Sequence, residues 1–241
     1  MRRLYGLDAL RGIAAICVMV GHFAATFGLG EYPFHAGLAV DLFFILSGFV
    51  MTRTYEERLR SGLTAPQFIA LRYRRLFLPL AIGSTLGLIG AAAVIGPAPQ
   101  LLASWVFILA FLPTVWLGNA FLLNGPAWSL FLEILSNALH GTLLAKTSTR
   151  RLAALYAASV AVFIATYFAG LSHWDYGLSA ILWLIPRELS AYLIGIIIFR
   201  VYGDRPLGNR PAIAIAAFMA CLWAATLNPF VELACALVFA P

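Results

Sequence analysis

The chain has 241 residues, of which 62% are hydrophobic and only 11% charged, against roughly a quarter charged in ordinary soluble domains. A water-soluble fold of this size cannot bury so much apolar surface, whereas a bilayer accepts it and requires only that backbone polar groups bond internally, as they do in a helix. The formal charge of +6 does not point to nucleic acid, because the arginines are scattered between apolar runs rather than gathered on one face. An all-α, polytopic transmembrane bundle forming one domain over residues 1–241 is therefore expected.

A hydrocarbon core of about 30 Å needs roughly 20 apolar residues per helix. In chain order, this ruler places spans at Leu7 to Phe27, Ala36 to Thr52, Leu76 to Ile95, Pro126 to Ala145, Leu152 to Leu171, Leu178 to Phe199 and Ala212 to Leu227. The first follows Arg2 and Arg3 like a signal peptide, yet it contains Asp8, Arg11 and His22 and lacks a small-residue cleavage site, so it reads as a retained span. Thr64 to Arg75 is amphipathic, with Phe68, Ile69 and Leu71 beside Arg72, Arg74 and Arg75, as expected of a helix lying at the headgroups. Leu101 to Leu123 reads as re-entrant. Were it a full crossing, Lys146, Arg150, Arg151, Arg200, Arg205 and Arg210 would lie outside, against the positive-inside rule. With a dip and return, every basic loop residue faces the cytoplasm, and only Glu31, His35, His173 and Asp175 face out. Seven or eight membrane segments follow, in the cell's inner (cytoplasmic) membrane with the N-terminus inside.

Beyond Asn228 and Pro229, the stretch Phe230 to Pro241 is too short to cross, and a carboxylate in hydrocarbon is costly, so further helices are expected beyond this chain. Cys17, Cys221 and Cys235 lie in apolar runs without a metal or disulfide spacing and read as small core residues.

Charges inside a membrane are expensive and point to function. In the first span Arg11 and His22 are eleven residues apart, a step that returns to within about 20° on a helix and covers about 16 Å along the axis. The two thus share a stripe able to line a polar passage; the alternative is that Asp8 and Arg11 pair near the interface while His22 bonds a neighbouring helix. Asp41 lies near the outer start of the second span, where it could orient the His22 imidazole or simply sit at the positive end of the helix dipole. Ser47 and Gly48 fit close helix packing. Glu133, about two turns into its span, needs a partner, for which Arg11, His22 and the Arg187 and Glu188 pair are the candidates; a structural ion pair is the alternative to a catalytic one. Arg72, Arg74 and Arg75 suit either a multiply charged phosphate ligand or anionic lipid headgroups.

Four stretches in order resemble the acyltransferase-3 family of integral-membrane acyltransferases. They are Leu7-Asp-Ala-Leu-Arg-Gly-Ile-Ala-Ala15 with His22, Val40-Asp-Leu-Phe-Phe-Ile-Leu-Ser-Gly-Phe49, Arg72-Tyr-Arg-Arg75 with Pro79, and Trp128-Ser-Leu-Phe-Leu-Glu133; a weaker echo is Arg187-Glu-Leu-Ser-Ala-Tyr-Leu-Ile-Gly195. The resemblance implies a bundle of about ten helices, an acyl-CoA donor (acetyl-CoA by family default) clamped by Arg72, Arg74 and Arg75, and a hydroxyl acceptor on an extracytoplasmic carbohydrate or glycolipid. His22 would be the reactive centre, as base or as acyl carrier. Arg11 would stabilise donor or developing negative charge, and Asp41 or Glu133 would balance the imidazolium. The chain departs from many members after Glu133, where Ile134, Leu135, Ser136 and Asn137 replace a second acid and Gln-Phe-Tyr, which tells against a two-carboxylate mechanism. A secondary transporter also uses intramembrane acids and histidines, but no internal repeats of the kind such carriers show are visible; a non-catalytic membrane protein is the other alternative.

Overall fold

A computed structural model describes residues 5–29, 35–116, 118–171, 177–203, 211–227 and 229–239. Arg2, Arg3, Glu31, His173, Asp175, Arg205, Arg210, Asn228 and Pro241 lie outside the described residues. The described residues form helices and connecting turns without strands: α1 (Tyr5–Phe27), α2 (Ala36–Arg60), α3 (Ala65–Ile95), α4 (Pro99–Leu109), α5 (Ala127–Thr142) with a short 3₁₀ turn (Leu144–Lys146), α6 (Thr149–Phe168), α7 (Leu178–Tyr202), α8 (Pro211–Ala224) and α9 (Pro229–Phe239). Five of them, α1, α2, α3, α6 and α7, are long and apolar enough to cross a membrane. The outward faces carry residues such as Met19, Phe23, Leu78, Leu86 and Trp223 in exposed positions, a surface suited to lipid and not to water.

The core is built on α2 and α7. Both are buried over much of their length, and they cross where a glycine on each removes the side chain. A Cβ on Gly48 would run into the carbonyl oxygen of Tyr192, and one on Gly195 into that of Ile45. Close backbone approach of this kind is what drives helix association in lipid, where apolar burial between helices contributes little.

One expected element is corrected. Thr64 to Arg75 is not a separate helix lying at the headgroups but the first third of α3, a single helix of 31 residues begun by a capping box between Thr64 and Gln67. Pro79 sits inside it without ending it. The phase of this helix explains the change: its buried residues are Phe68, Arg72, Leu80 and Ser84, spaced in multiples of four, so Arg72 belongs to the apolar stripe facing the bundle.

The Leu101 to Leu123 segment begins with α4, whose 11 residues cover about 16 Å, half the hydrocarbon core. It descends along α3, with Trp105 Nε1 donating to Thr85 Oγ1 at 3.1 Å and Tyr73 Oη donating to the Leu109 carbonyl at 3.0 Å. The chain then reverses at Phe111, in the left-handed region at φ 58°. It returns to seat Leu123 and Asn124 against Gly87 and Gly83. From there α5 runs antiparallel to α3 until Gly141 meets Phe68 and Ala65. The ends of α2, α5 and α7 and the start of α6 gather at this same end. Arg200 Nε donates to Glu56 Oε2 at 3.0 Å and its Nη1 to the Thr147 carbonyl at 2.6 Å, while Arg60 Nε donates to the Ala145 carbonyl at 2.9 Å.

Substituting Gly48 or Gly195 by alanine is expected to force the α2–α7 crossing apart and cost about 1–3 kcal/mol. Thermal unfolding in detergent checks this against Gly90→Ala, where a Cβ meets nothing within 4 Å.

Candidate active site

Two buried ion-pair systems organise the interior. Near the basic end, Arg72, only 3% exposed, donates from Nη2 to Glu133 Oε1 at 2.8 Å. Ser47 Oγ of α2 approaches the same oxygen at 3.5 Å. The pair therefore joins α3 to α5 and touches α2. Arg11 of α1 lies within electrostatic reach of Arg75, Glu133, Arg72 and Asp8, and Tyr192 of α7 within reach of Arg72 and Glu133. Arg72 Nε and Nη1 are buried and have no hydrogen-bond partner among the described residues. Two buried guanidinium donors left open are costly, and they suit a site built to receive an anionic or carbonyl oxygen from a ligand.

The second system lies between α2, α7 and α9. Arg187 donates from Nε to Asp41 Oδ1 at 2.9 Å and from Nη2 to Asp41 Oδ2 at 2.8 Å, a two-pronged bond matching the guanidinium plane to the carboxylate. Its third nitrogen, Nη1, donates to Glu232 Oε1 at 3.3 Å, and its guanidinium lies over the Phe163 ring at 5.6 Å. Neighbouring Glu188 is 2% exposed, with Oε2 unpartnered among the described residues.

A cleft of about 300 Å³ opens toward the end opposite the Arg200 cluster, lined by His22 of α1, His35 and Gly37 at the start of α2, Asn119, and Trp128 and Ser129 of α5. His22 and Arg11 share a stripe of α1 that looks toward α5: His22 lines the cleft with Ser129, and Arg11 lies within electrostatic reach of Glu133.

The expected site residues divide as follows. Arg72 and Glu133 are paired, Arg11 lies within electrostatic reach of both and of Arg75, and His22 lines the cleft. Asp41 makes no hydrogen bond to the His22 imidazole among the described residues; each of its oxygens accepts from Arg187. Glu133 pairs with Arg72, not with Arg187 or Glu188, and Arg187 pairs with Asp41 and Glu232. The three-guanidinium clamp is split by helical phase: Arg72 is buried, whereas Arg74 and Arg75 are exposed, and of these two Arg75 is the one within electrostatic reach of Arg11. Two residues join this network without a local signal in the sequence: His35, expected in an outer loop, and Glu232, close to the chain end, which the fold sets beside Arg187.

A multi-pass helical bundle with paired charges, spare guanidinium donors and a histidine-lined cleft in its interior defines the class of integral-membrane proteins. Residues 4–238 match the acyltransferase-3 family, described as an acyltransferase domain, and the chain belongs to that family. It is accordingly an acyltransferase. It is also similar to "Protein 2 in picA locus" of Rhizobium radiobacter, 35% identical over 178 residues that cover 66% of this chain and 91% of that protein. No solved structure matches it significantly.

Replacing Arg187 by Met strands the Asp41 carboxylate and is expected to cost about 3–5 kcal/mol, most of which a simultaneous Asp41→Leu change recovers. Thermal unfolding of the two single variants and the double variant reads this directly.

Proposed function

We propose that the protein transfers an acyl group, acetyl by default, from acyl-CoA at the cytoplasmic face to a hydroxyl of an extracytoplasmic carbohydrate or glycolipid. His22 is the reactive centre. The observation that supports this reading is that His22 lines the cleft while Arg11, on the same stripe of α1, lies within electrostatic reach of the buried Arg72–Glu133 pair and of Arg75. The helix ends bearing Arg60, Lys146, Arg150, Arg151 and Arg200 lie together, and the positive-inside rule assigns that end to the cytoplasm. On this reading α1 starts at the cytoplasmic face and ends at the outer face of the inner membrane.

Acyl-CoA is charged at one end and carries its thioester at the other. Arg75, exposed at the basic side, suits the phosphates, and the open Nε and Nη1 of Arg72 suit oxygens further along the donor, within reach of Arg11. Glu133 holds the Arg72 guanidinium in place by their hydrogen bond, so its role is to aim donors as well as to balance charge. His22, from the opposite mouth, attacks the thioester carbonyl: a nitrogen-to-carbon bond forms, the carbon-to-sulfur bond breaks, and the CoA thiolate leaves toward the basic side. The guanidiniums stabilise the negative charge that develops on the carbonyl oxygen and then on sulfur. The cleft supplies the opposite entrance for the acceptor, with Trp128 offering an aromatic face and Asn119 and Ser129 polar atoms suited to a sugar.

A His22→Ala variant is expected to lose at least 10²-fold in acyl transfer while binding acyl-CoA normally. Arg75→Ala, which breaks no buried pair, is expected to weaken acyl-CoA binding by roughly 10- to 150-fold, the worth of a charged hydrogen bond. Isothermal titration with acetyl-CoA and transfer assays on reconstituted protein separate the two effects; wild-type transfer by His22→Ala overturns the reading.

A further inference from the structure

The acid network beside the cleft serves a second histidine. His35 caps the start of α2 and is held there by its backbone N–H, which donates to the Leu222 carbonyl at 2.9 Å. Its Nε2 stands 3.4 Å from Glu232 Oε1, the oxygen that also accepts from Arg187 Nη1 at 3.3 Å. Arg187 is itself fixed by Asp41 through two bonds. The chain Asp41, Arg187, Glu232, His35 thus runs from the α2–α7 core, through α9, to an imidazole that lines the same cleft as His22. A carboxylate facing Nε2 selects the tautomer with hydrogen on that nitrogen. Nδ1 is then the acceptor, and it is buried with no partner among the described residues.

One histidine cannot do both tasks of a two-step transfer at once. An imidazole nitrogen bonded to an acyl carbon has given up its lone pair, so His22 carrying the acyl group leaves the acceptor hydroxyl without a base. The cleft is otherwise mostly apolar, with Val18, Ala25, Phe121 and Leu184 in its wall. His35, contributed by α2, faces the same space as His22 of α1.

Resting on the assignment of His22 above, we infer that His35 is a second catalytic residue, the base that receives the proton of the acceptor hydroxyl, and that Glu232 is its positioning residue. In this step the acceptor oxygen bonds to the acyl carbon, and the bond from that carbon to the His22 nitrogen breaks, its electron pair returning to the ring. The hydroxyl proton moves to His35 Nδ1. The imidazolium so formed faces the Glu232 carboxylate until its proton passes to water in the cleft, and the ester leaves.

The test uses the full chain in membranes that carry their own envelope glycans, with labelled acetyl-CoA as donor. Hydroxylamine is the second acceptor, because its amine attacks an acyl-imidazole without a base. His35→Gln is expected to lower glycan acylation by 10²- to 10⁴-fold, the range for a general base. It is expected to keep a burst of one CoA per protein and enzyme-dependent transfer to hydroxylamine within about threefold of wild type. Glu232→Gln is expected to lower glycan acylation about tenfold and to leave hydroxylamine transfer unmoved, which a merely structural defect would not do. Glycan acylation at wild-type rate by His35→Gln overturns the proposal, and so does loss of both the burst and hydroxylamine transfer, which makes His35 structural. Retention of the burst by His22→Ala removes the underlying assignment instead, so the two failures are told apart.

Discussion

A charge that enters a bilayer interior must find its counter-charge there, because no water waits to receive it. Two such pairs decide how this bundle is assembled. Arg72 with Glu133 ties α3 to α5, and Arg187 with Asp41 ties α7 to α2 and, through Glu232, to α9. The cleft lies between residues of α1, α2 and α5, the last two of which these pairs hold. Removing either arginine leaves a carboxylate without its partner, so the interior geometry is fixed more firmly than apolar packing in lipid would fix it.

The two guanidiniums differ in how fully they are used. Arg187 spends three nitrogens on Asp41 and Glu232, which is how an arginine behaves when its task is to hold helices. Arg72 spends one nitrogen on Glu133 and keeps two buried donors open. An evolved interior tolerates that cost where a ligand completes the bonding. The same contrast separates the histidines from ordinary core residues: His22 and His35 border a cavity large enough for reacting groups, whereas His140, fully buried between Phe68 and Tyr192, borders rings.

Helix identity was legible in the sequence because apolar run length is a local property, and the eleven-residue phase between Arg11 and His22 needed only helical geometry. Pairing was not. Asp41 and Arg187 are 146 residues apart, and nothing local says which acid a distant arginine meets. Three arginines within four residues look like a polar face and suggest the headgroups for Arg72; its spacing of four from Phe68 and of twelve from Ser84, with Leu80 between, is the signal that places it inward. His35 looked like loop because it precedes a helix, and its importance arises from α9 folding back beside it.

The central claim is that donor and acceptor meet in one interior, between the Arg72 guanidinium and the His22 imidazole. An experimental structure with a non-cleavable acetyl-CoA thioether tests it most directly. The account predicts phosphates at the basic end beside Arg75, a carbonyl oxygen on the open donors of Arg72 or Arg11, and the carbonyl carbon about 3–3.5 Å from a His22 ring nitrogen. A thioether seated elsewhere, or a His22 ring turned to lipid with the analogue bound, contradicts it.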